Sequence, residues 1–338
     1  EQSFIIIYSI PTVSDGEYRM MARCGRVAAL ASGLLGSLAL VALLQIFSFE
    51  LSPESGLTST QPLTMERRAL STAVEDKSQP SRHFPSALLI GVRKGGTRAL
   101  LDALALHPEI KAARREVHYF DDEINYSKGE EWYLQQMPLS RNEITIEKTP
   151  AYFTNPSVPE RVNRMNPAMK IILIVREPVT RAISDFTQVY YNRLEMNKSL
   201  PIFSDLAFTA DGKVEMNYKP VRNSLYATHL KRWLKIFPLG QILVLDGDTF
   251  AKDPLSQLRL AESFLGLSHQ IRADQLIFNP SKGFHCFRKT YSSKVKCLGR
   301  SKGRPHREID DRTQQHLAKL LRPHNRVFFQ MINRVFPW

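Results

Sequence analysis

Residues 87–110 read ALLIGVRKGGTRALLDALALHPEI, and this stretch decides the fold. An apolar run leads into a turn that holds Gly91, Gly95 and Gly96 together with Arg93, Lys94 and Arg98, and an apolar helical pattern follows. Glycines let backbone N–H groups approach a ligand without side-chain interference, and the helix behind them offers unpaired N–H groups and the positive end of its dipole. Such a unit is suited to an anion. Gly91 and Gly96 have the G-x-x-x-x-G spacing of a nucleotide triphosphatase loop, but Thr97 and Arg98 stand where that loop carries Lys and Ser or Thr, and the lysine lies inside the turn as Lys94. The loop therefore fits phosphate without implying Mg²⁺-dependent nucleotide hydrolysis. The plain alternative is a strand-to-helix turn with solvated cations.

Outward from this unit, apolar runs at 87–92, 143–148, 170–175 and 241–248 predict buried strands, and helical patterns begin near Thr97, Pro156, Pro178, Pro220 and Thr249. Strands alternating with helices predict an α/β domain with a central parallel sheet flanked by helices, and ligands gather at the carboxyl ends of such strands. The formal net charge of +13 points to an acidic partner: nucleic acid, anionic membrane or acidic polysaccharide. The excess is concentrated at the end of the chain, where residues 281–338 hold 14 Lys and Arg against 3 Asp and Glu.

The N-terminal part predicts the compartment. Residues 27–47 carry no charge over a length that spans a bilayer, and Arg19, Arg23 and Arg26 precede them. This is the pattern of a transmembrane signal anchor, with residues 1–26 as a cytosolic tail. Residues 48–84, rich in Ser, Thr, Pro and Glu, form a flexible stem, which leaves 85–338 as a lumenal domain. That topology argues against nucleic acid. Cys24 falls on the cytosolic side, whereas Cys286 and Cys297 are near enough in sequence to close a short loop in an oxidising compartment. Two cysteines without paired His or Cys ligands do not make a zinc site. Asn125 and Asn197 each begin a glycosylation sequon.

Five polar motifs then occur in order: GVRKGGTRAL (91–100), REVHYFD (115–121), EKTPAYF (147–153), REPVTRAISDF (176–186) and SKGRPH (301–306). With LDALALHPEI, VPERV, FPLGQILVLDGD and the closing FPW, they resemble the heparan sulfate glucosamine 3-O-sulfotransferases, Golgi enzymes that use 3′-phosphoadenosine 5′-phosphosulfate (PAPS). The resemblance runs from Pro85 to Trp338 and is nearest to the antithrombin-type and broad-specificity members.

This resemblance implies a P-loop-like sulfotransferase domain on a type II Golgi membrane protein, acting on heparan sulfate and releasing PAP without a metal. It assigns Lys94, Gly95, Gly96, Thr97 and Arg98 to the 5′-phosphosulfate. A lysine there stabilises the charge left on the departing phosphate. Arg176 and Ser184 are implied at the 3′-phosphate, where an arginine fork suits the anion, although Arg176 could equally pair with Glu177. Lys302, Gly303 and Arg304 belong to a late loop near the same nucleotide. Glu116 is implied as the general base, because an acceptor hydroxyl is a very weak acid and needs a carboxylate within reach. His118, facing the same side if the segment is extended, and Asp121 assist it. Lys148 stands at the reaction centre, and Gln188, Asn192 and Lys296 face the sugar chain.

Trp132 and Tyr133 read as packing residues, and His285, His306, His316 and His324 as solvated or structural. Arg114, Arg115 and Gly299 depart from the antithrombin-type pattern and leave the preferred sulfation pattern of the acceptor open. Two rival functions remain: a PAPS-dependent sulfotransferase acting on another position of a glycosaminoglycan, and a heparan-binding protein without catalysis. The second requires neither a carboxylate in the cleft nor a second phosphate site.

Overall fold

A computed structural model describes residues 79–338 apart from 291, 300–302 and 304. The expected cytosolic tail, anchor and most of the stem, together with Lys302 and Arg304 of the late loop, lie outside the described residues. Strands β1 (Ala87–Gly91), β2 (Ile110–Ala112), β3 (Ile144–Lys148), β4 (Lys170–Val175) and β5 (Ile242–Asp246) form one parallel sheet in the order β2-β3-β1-β4-β5. Four of them coincide with the apolar runs. The edge strand β2 has no such run, because only Ile110 of its three residues is buried.

Alternation along each strand divides the core. Leu88, Ile90, Ile171 and Leu173 pack with Tyr152, Phe153, Trp233 and Phe328 on one face. Ala87, Leu89, Ile172 and Ile174 pack on the other with Leu100, Leu104, Leu258 and Leu265. Successive strand side chains point to opposite faces, so a strand covered on both sides reads as an unbroken apolar run. The covering helices are α1 (Thr97–Leu104), α2 (Val158–Met165), α3 (Pro178–Glu195), α4 (Tyr226–Leu234), α5 (Gly247–Lys252), α6 (Pro254–Leu265) and α7 (Asp311–Ile332). Pro178 opens α3 with its φ already helical, and the Glu177 carboxylate accepts from the N–H groups of Val179 and Thr180 at 2.9 and 2.6 Å.

Two smaller ladders flank this frame. Ser81–Arg82, read from sequence as the end of the stem, pairs antiparallel with Leu139–Ser140. Beyond α6, strands β6 (Leu276–Asn279), β7 (Phe284–Arg288) and β8 (Val295–Lys296) form an antiparallel sheet in the order β8-β7-β6, and a disulfide joins Cys286 to Cys297.

One buried cation fixes how the glycine turn sits on the frame. Arg181, in α3, has no exposed surface. Its Nε donates to Ser224 Oγ at 2.8 Å, one terminal nitrogen donates to Asp185 Oδ2 at 3.0 Å and to the Arg93 carbonyl at 3.2 Å, and the other donates to the Pro220 carbonyl. Asp185 also accepts from Arg93 Nε at 2.7 Å, and although burial raises its pKa, the two arginines hold it below the usual aspartate value. Removing one partner from a buried ion pair strands the other charge, which costs about 3–5 kcal/mol. Arg181→Met should therefore lower unfolding stability in urea by about that amount, whereas a loss below about 1 kcal/mol, the range of exposed ion pairs, would contradict this role.

Candidate active site

The first four motifs meet along the carboxyl edge of the sheet around a cleft of about 900 Å³. The β1–α1 turn, from Arg93 to Thr97, lines it. A Cβ on Gly95 would lie 2.5 Å from the Ile174 carbonyl, and one on Gly247 would lie 2.5 Å from the Gly95 carbonyl, so the turn is packed backbone against backbone onto the ends of β4 and β5. Gly96 has φ 106°, open to glycine at little cost, and Lys94 has φ 70°. The Gly95 N–H is taken by the Val92 carbonyl at 2.9 Å, which makes Gly95 a packing glycine. The N-terminus of α1, starting at Thr97, supplies the helix end that faces the cleft. Arg98 donates to Asp102 at 3.2 Å and to the Arg114 carbonyl at 2.9 Å, which ties α1 to the loop after β2.

Arg176 and Ser184 both line the cleft, brought together by the short passage from β4 into α3. Arg176 pairs with Asp248 at 2.8 Å and not with Glu177, whose carboxylate caps α3 instead. His306 also reaches the cleft, where burial first, and then Arg176 and Lys94, lower its pKa and favour the neutral ring. His285 lines the same wall. His285 is half-buried on β7, whereas His306 keeps an exposed surface at the cleft. His316 has its Nε2 2.9 Å from the Gly212 carbonyl and its ring 4.9 Å from that of Phe208.

Four charged side chains that also line the cleft form a chain. Asp121 Oδ2 lies 3.0 Å from His118 Nδ1, His118 Nε2 lies 3.6 Å from Glu116 Oε2, and Lys148 Nζ donates to Glu116 Oε1. Lys148 is buried at the end of β3, whereas Glu116 and His118 are partly open to the cleft. The segment carrying them is not extended: His118 has φ 54°, and a turn rather than strand alternation brings the two side chains together. Hydrogen bonding to His118, followed by Lys148 and working against burial, holds Glu116 down at about 2. Hydrogen bonds to Asp121 and then Glu116 push His118 up to about 10. The arrangement sets the Glu116 and Asp121 carboxyl groups against Lys148 and His118 around one opening.

Gln188 Nε2 donates to Asn192 Oδ1 at 2.7 Å, one turn apart on α3, and both line the cleft. Gly303 borders the cleft, whereas Lys296 is exposed on β8 away from its lining. Lys219, Asn223 and Lys282 line the cleft without a motif to mark them in the sequence. Asn125 donates its amide to the carbonyls of Val117 and His118, both at 3.3 Å, and accepts from Lys128 at 2.8 Å, so its side chain is occupied within the fold. Asn197 is exposed.

A glycine turn leading into a helix N-terminus, further cations and a carboxylate thus line one cleft, and the sulfotransferase domain profile matches residues 84–329. Mouse and human heparan sulfate glucosamine 3-O-sulfotransferase 5 are each 47% identical over 259 residues, covering 76% of this chain and 75% of theirs. The mouse heparan sulfate glucosamine 3-O-sulfotransferase 6 is 43% identical over 260 residues, covering 76% of this chain and 74% of its own. The solved sulfotransferase of Alicyclobacillus acidocaldarius shares the fold, with a TM-score of 0.55 at 21% identity over 75% of this chain and 98% of that one. The chain belongs to the heparan sulfate glucosamine 3-O-sulfotransferase family.

The charge chain has a pH signature. Glu116, lowered from 4.5 to about 2, contributes stability above 4.5 that is lost as pH falls through the lower value. His118, raised from 6.5 to about 10, contributes stability below 6.5 that is lost as pH rises through the upper value. Both contributions are complete only between 4.5 and 6.5. An NMR titration should find the His118 ring ionising near 10, with Asp121→Asn returning it toward 6.5. Ionisation near 6.5 in the unaltered protein would contradict the arrangement.

Proposed function

We propose that this chain transfers a sulfuryl group from PAPS to the 3-hydroxyl of a glucosamine in heparan sulfate, with Glu116 as general base. The observation that carries this is the meeting, in one cleft, of the Lys94 turn, the Arg176–Ser184 wall and the Glu116–His118–Lys148 group. The names of the relatives support the acceptor. The uncharged run at 27–47 and the Cys286–Cys297 bridge support a lumenal, Golgi-anchored setting.

In this reading Arg176 and Ser184 hold the 3′-phosphate, and Lys94 with the start of α1 holds the 5′ side. Glu116 takes the proton of the acceptor hydroxyl as its oxygen bonds to sulfur. The bond from sulfur to the bridging oxygen breaks, and Lys94 stabilises the charge that returns to the phosphate. A carboxylate held at about 2 is a weak base, because both Lys148 and His118 favour its charge. Contact between the Lys148 ammonium and the sulfonate oxygens of the donor draws one of those cations away. Glu116 then becomes more basic when the donor is in place. His118, kept cationic by Asp121, orients the carboxylate throughout.

The test is product mapping after incubation with PAPS and defined heparan oligosaccharides. New sulfate on the 3-hydroxyl of glucosamine is expected. Sulfate at another position overturns the regiochemistry, and binding without transfer overturns the enzyme reading. In the same assay Glu116→Gln should lower kcat by about 10²-fold or more and leave PAP affinity unchanged. Arg176→Ala should instead weaken PAP binding in calorimetry.

A further inference from the structure

Behind the loop that carries Glu116 and His118 lies a group of buried polar side chains that takes no part in the transfer chemistry. The segment from Ala113 to Val117 and on through His118 belongs to no strand or helix, yet it holds His118 in the left-handed region. That conformation costs a non-glycine residue about 1–2 kcal/mol and persists only where the surroundings fix it. The surroundings here are Glu147, Thr149 and Tyr152, none of them with exposed surface. The N–H groups of Val117 and His118 donate to Thr149 Oγ1 at 3.2 and 3.3 Å, and that of Tyr119 donates to Tyr152 Oη at 3.1 Å. From the other side Asn125 donates to the carbonyls of Val117 and His118.

Thr149 is the centre of this collar, and its stoichiometry shows what Glu147 does. A hydroxyl has one proton to donate and two lone pairs to accept with. Thr149 donates its proton to Glu147 Oε1 at 2.6 Å, which leaves both lone pairs for the two loop amides. Glu147 Oε1 itself lies 3.4 Å from the Val117 nitrogen, and Tyr133 Oη lies 3.5 Å from Oε2. Lys148, next in sequence, emerges on the cleft side as the partner of Glu116.

We propose that Glu147 is a positioning residue for sulfuryl transfer: by accepting the Thr149 hydroxyl it directs that oxygen at the loop amides and fixes Glu116 and His118 against Lys148. The inference rests on the reading of Glu116 as the base. Burial pushes Glu147 up to about 7, and the amide oxygen of a glutamine in its place can likewise accept the Thr149 hydroxyl.

The experiment compares Glu147→Leu and Thr149→Val with their conservative counterparts Glu147→Gln and Thr149→Ser. Thr149→Val, similar in size, keeps the test available if Glu147→Leu does not fold. Displacement of reacting groups by about 1 Å costs about 10²-fold in rate. The disruptive variants should therefore lose about 10²-fold in kcat per PAP-binding site, while the KM for PAPS and the calorimetric PAP affinity hold. The NMR titration of His118 should fall from about 10 toward 6.5. The conservative variants should restore both readouts. A folded Thr149→Val protein with unchanged kcat and unchanged His118 titration overturns the proposal, since a merely structural role would move neither. A shifted titration with unchanged kcat overturns it by another route: the collar holds the loop, but Glu116 is not the base.

Discussion

The guanidinium of Arg181 is the contact on which the anion cradle depends. It lies within the protein between the glycine turn, α3 and the segment ahead of α4, and it meets a carboxylate, a hydroxyl and two carbonyls. An arginine stripped of water is tolerated only when its donors find partners of this kind. By holding the Arg93 carbonyl and the Asp185 carboxylate together, it sets the path of the backbone just before Lys94 turns into the left-handed region. The glycines allow this close packing. The Arg181 network keeps the turn there.

Across the cleft the constraint is electrostatic. Lys94, Arg176 and the start of α1 line the cleft with positive charge, where the proposed function puts a doubly phosphorylated donor. Glu116 faces it, held ionised by His118 and Lys148. At rest the carboxylate is too well stabilised to be a strong base. In the proposed mechanism an anionic donor shares Lys148 and alters that balance, which couples donor binding to basicity. Asp121 and then Glu116 raise the pKa of His118, which favours its charged form and in the proposed mechanism leaves proton acceptance to Glu116.

Much of the frame was legible in the sequence because it obeys simple periodicity. Runs such as KIILIV are buried on both faces and can hardly be anything but central strands. The edge strand Ile110–Ala112 escaped because one buried residue in three leaves no pattern. The motifs located Lys94, Glu116, Lys148, Arg176 and Ser184 at one cleft, but partners distant in sequence were not readable. Arg176 chooses Asp248, 72 residues away, over its neighbour Glu177. Arg181 looks like any helix cation until the packing of α3 is known. The left-handed turn at His118 is invisible in EVH, since it is imposed by Thr149 and Asn125 from other elements. His306 reads as part of a basic tail, and only the fold brings it beside Arg176.

The claim that donor binding frees Glu116 is tested most directly by comparing the pH dependence of kcat with that of kcat/KM for PAPS. The second reports the free protein and the first the bound complex. Glu116, held at about 2 without donor, should place no acid limb in kcat/KM within the range where the protein stays folded. An acid limb that shows in kcat at clearly higher pH, and that Glu116→Gln abolishes, is the predicted result. Profiles of kcat and kcat/KM that coincide, with no limb assignable to Glu116, would contradict the account.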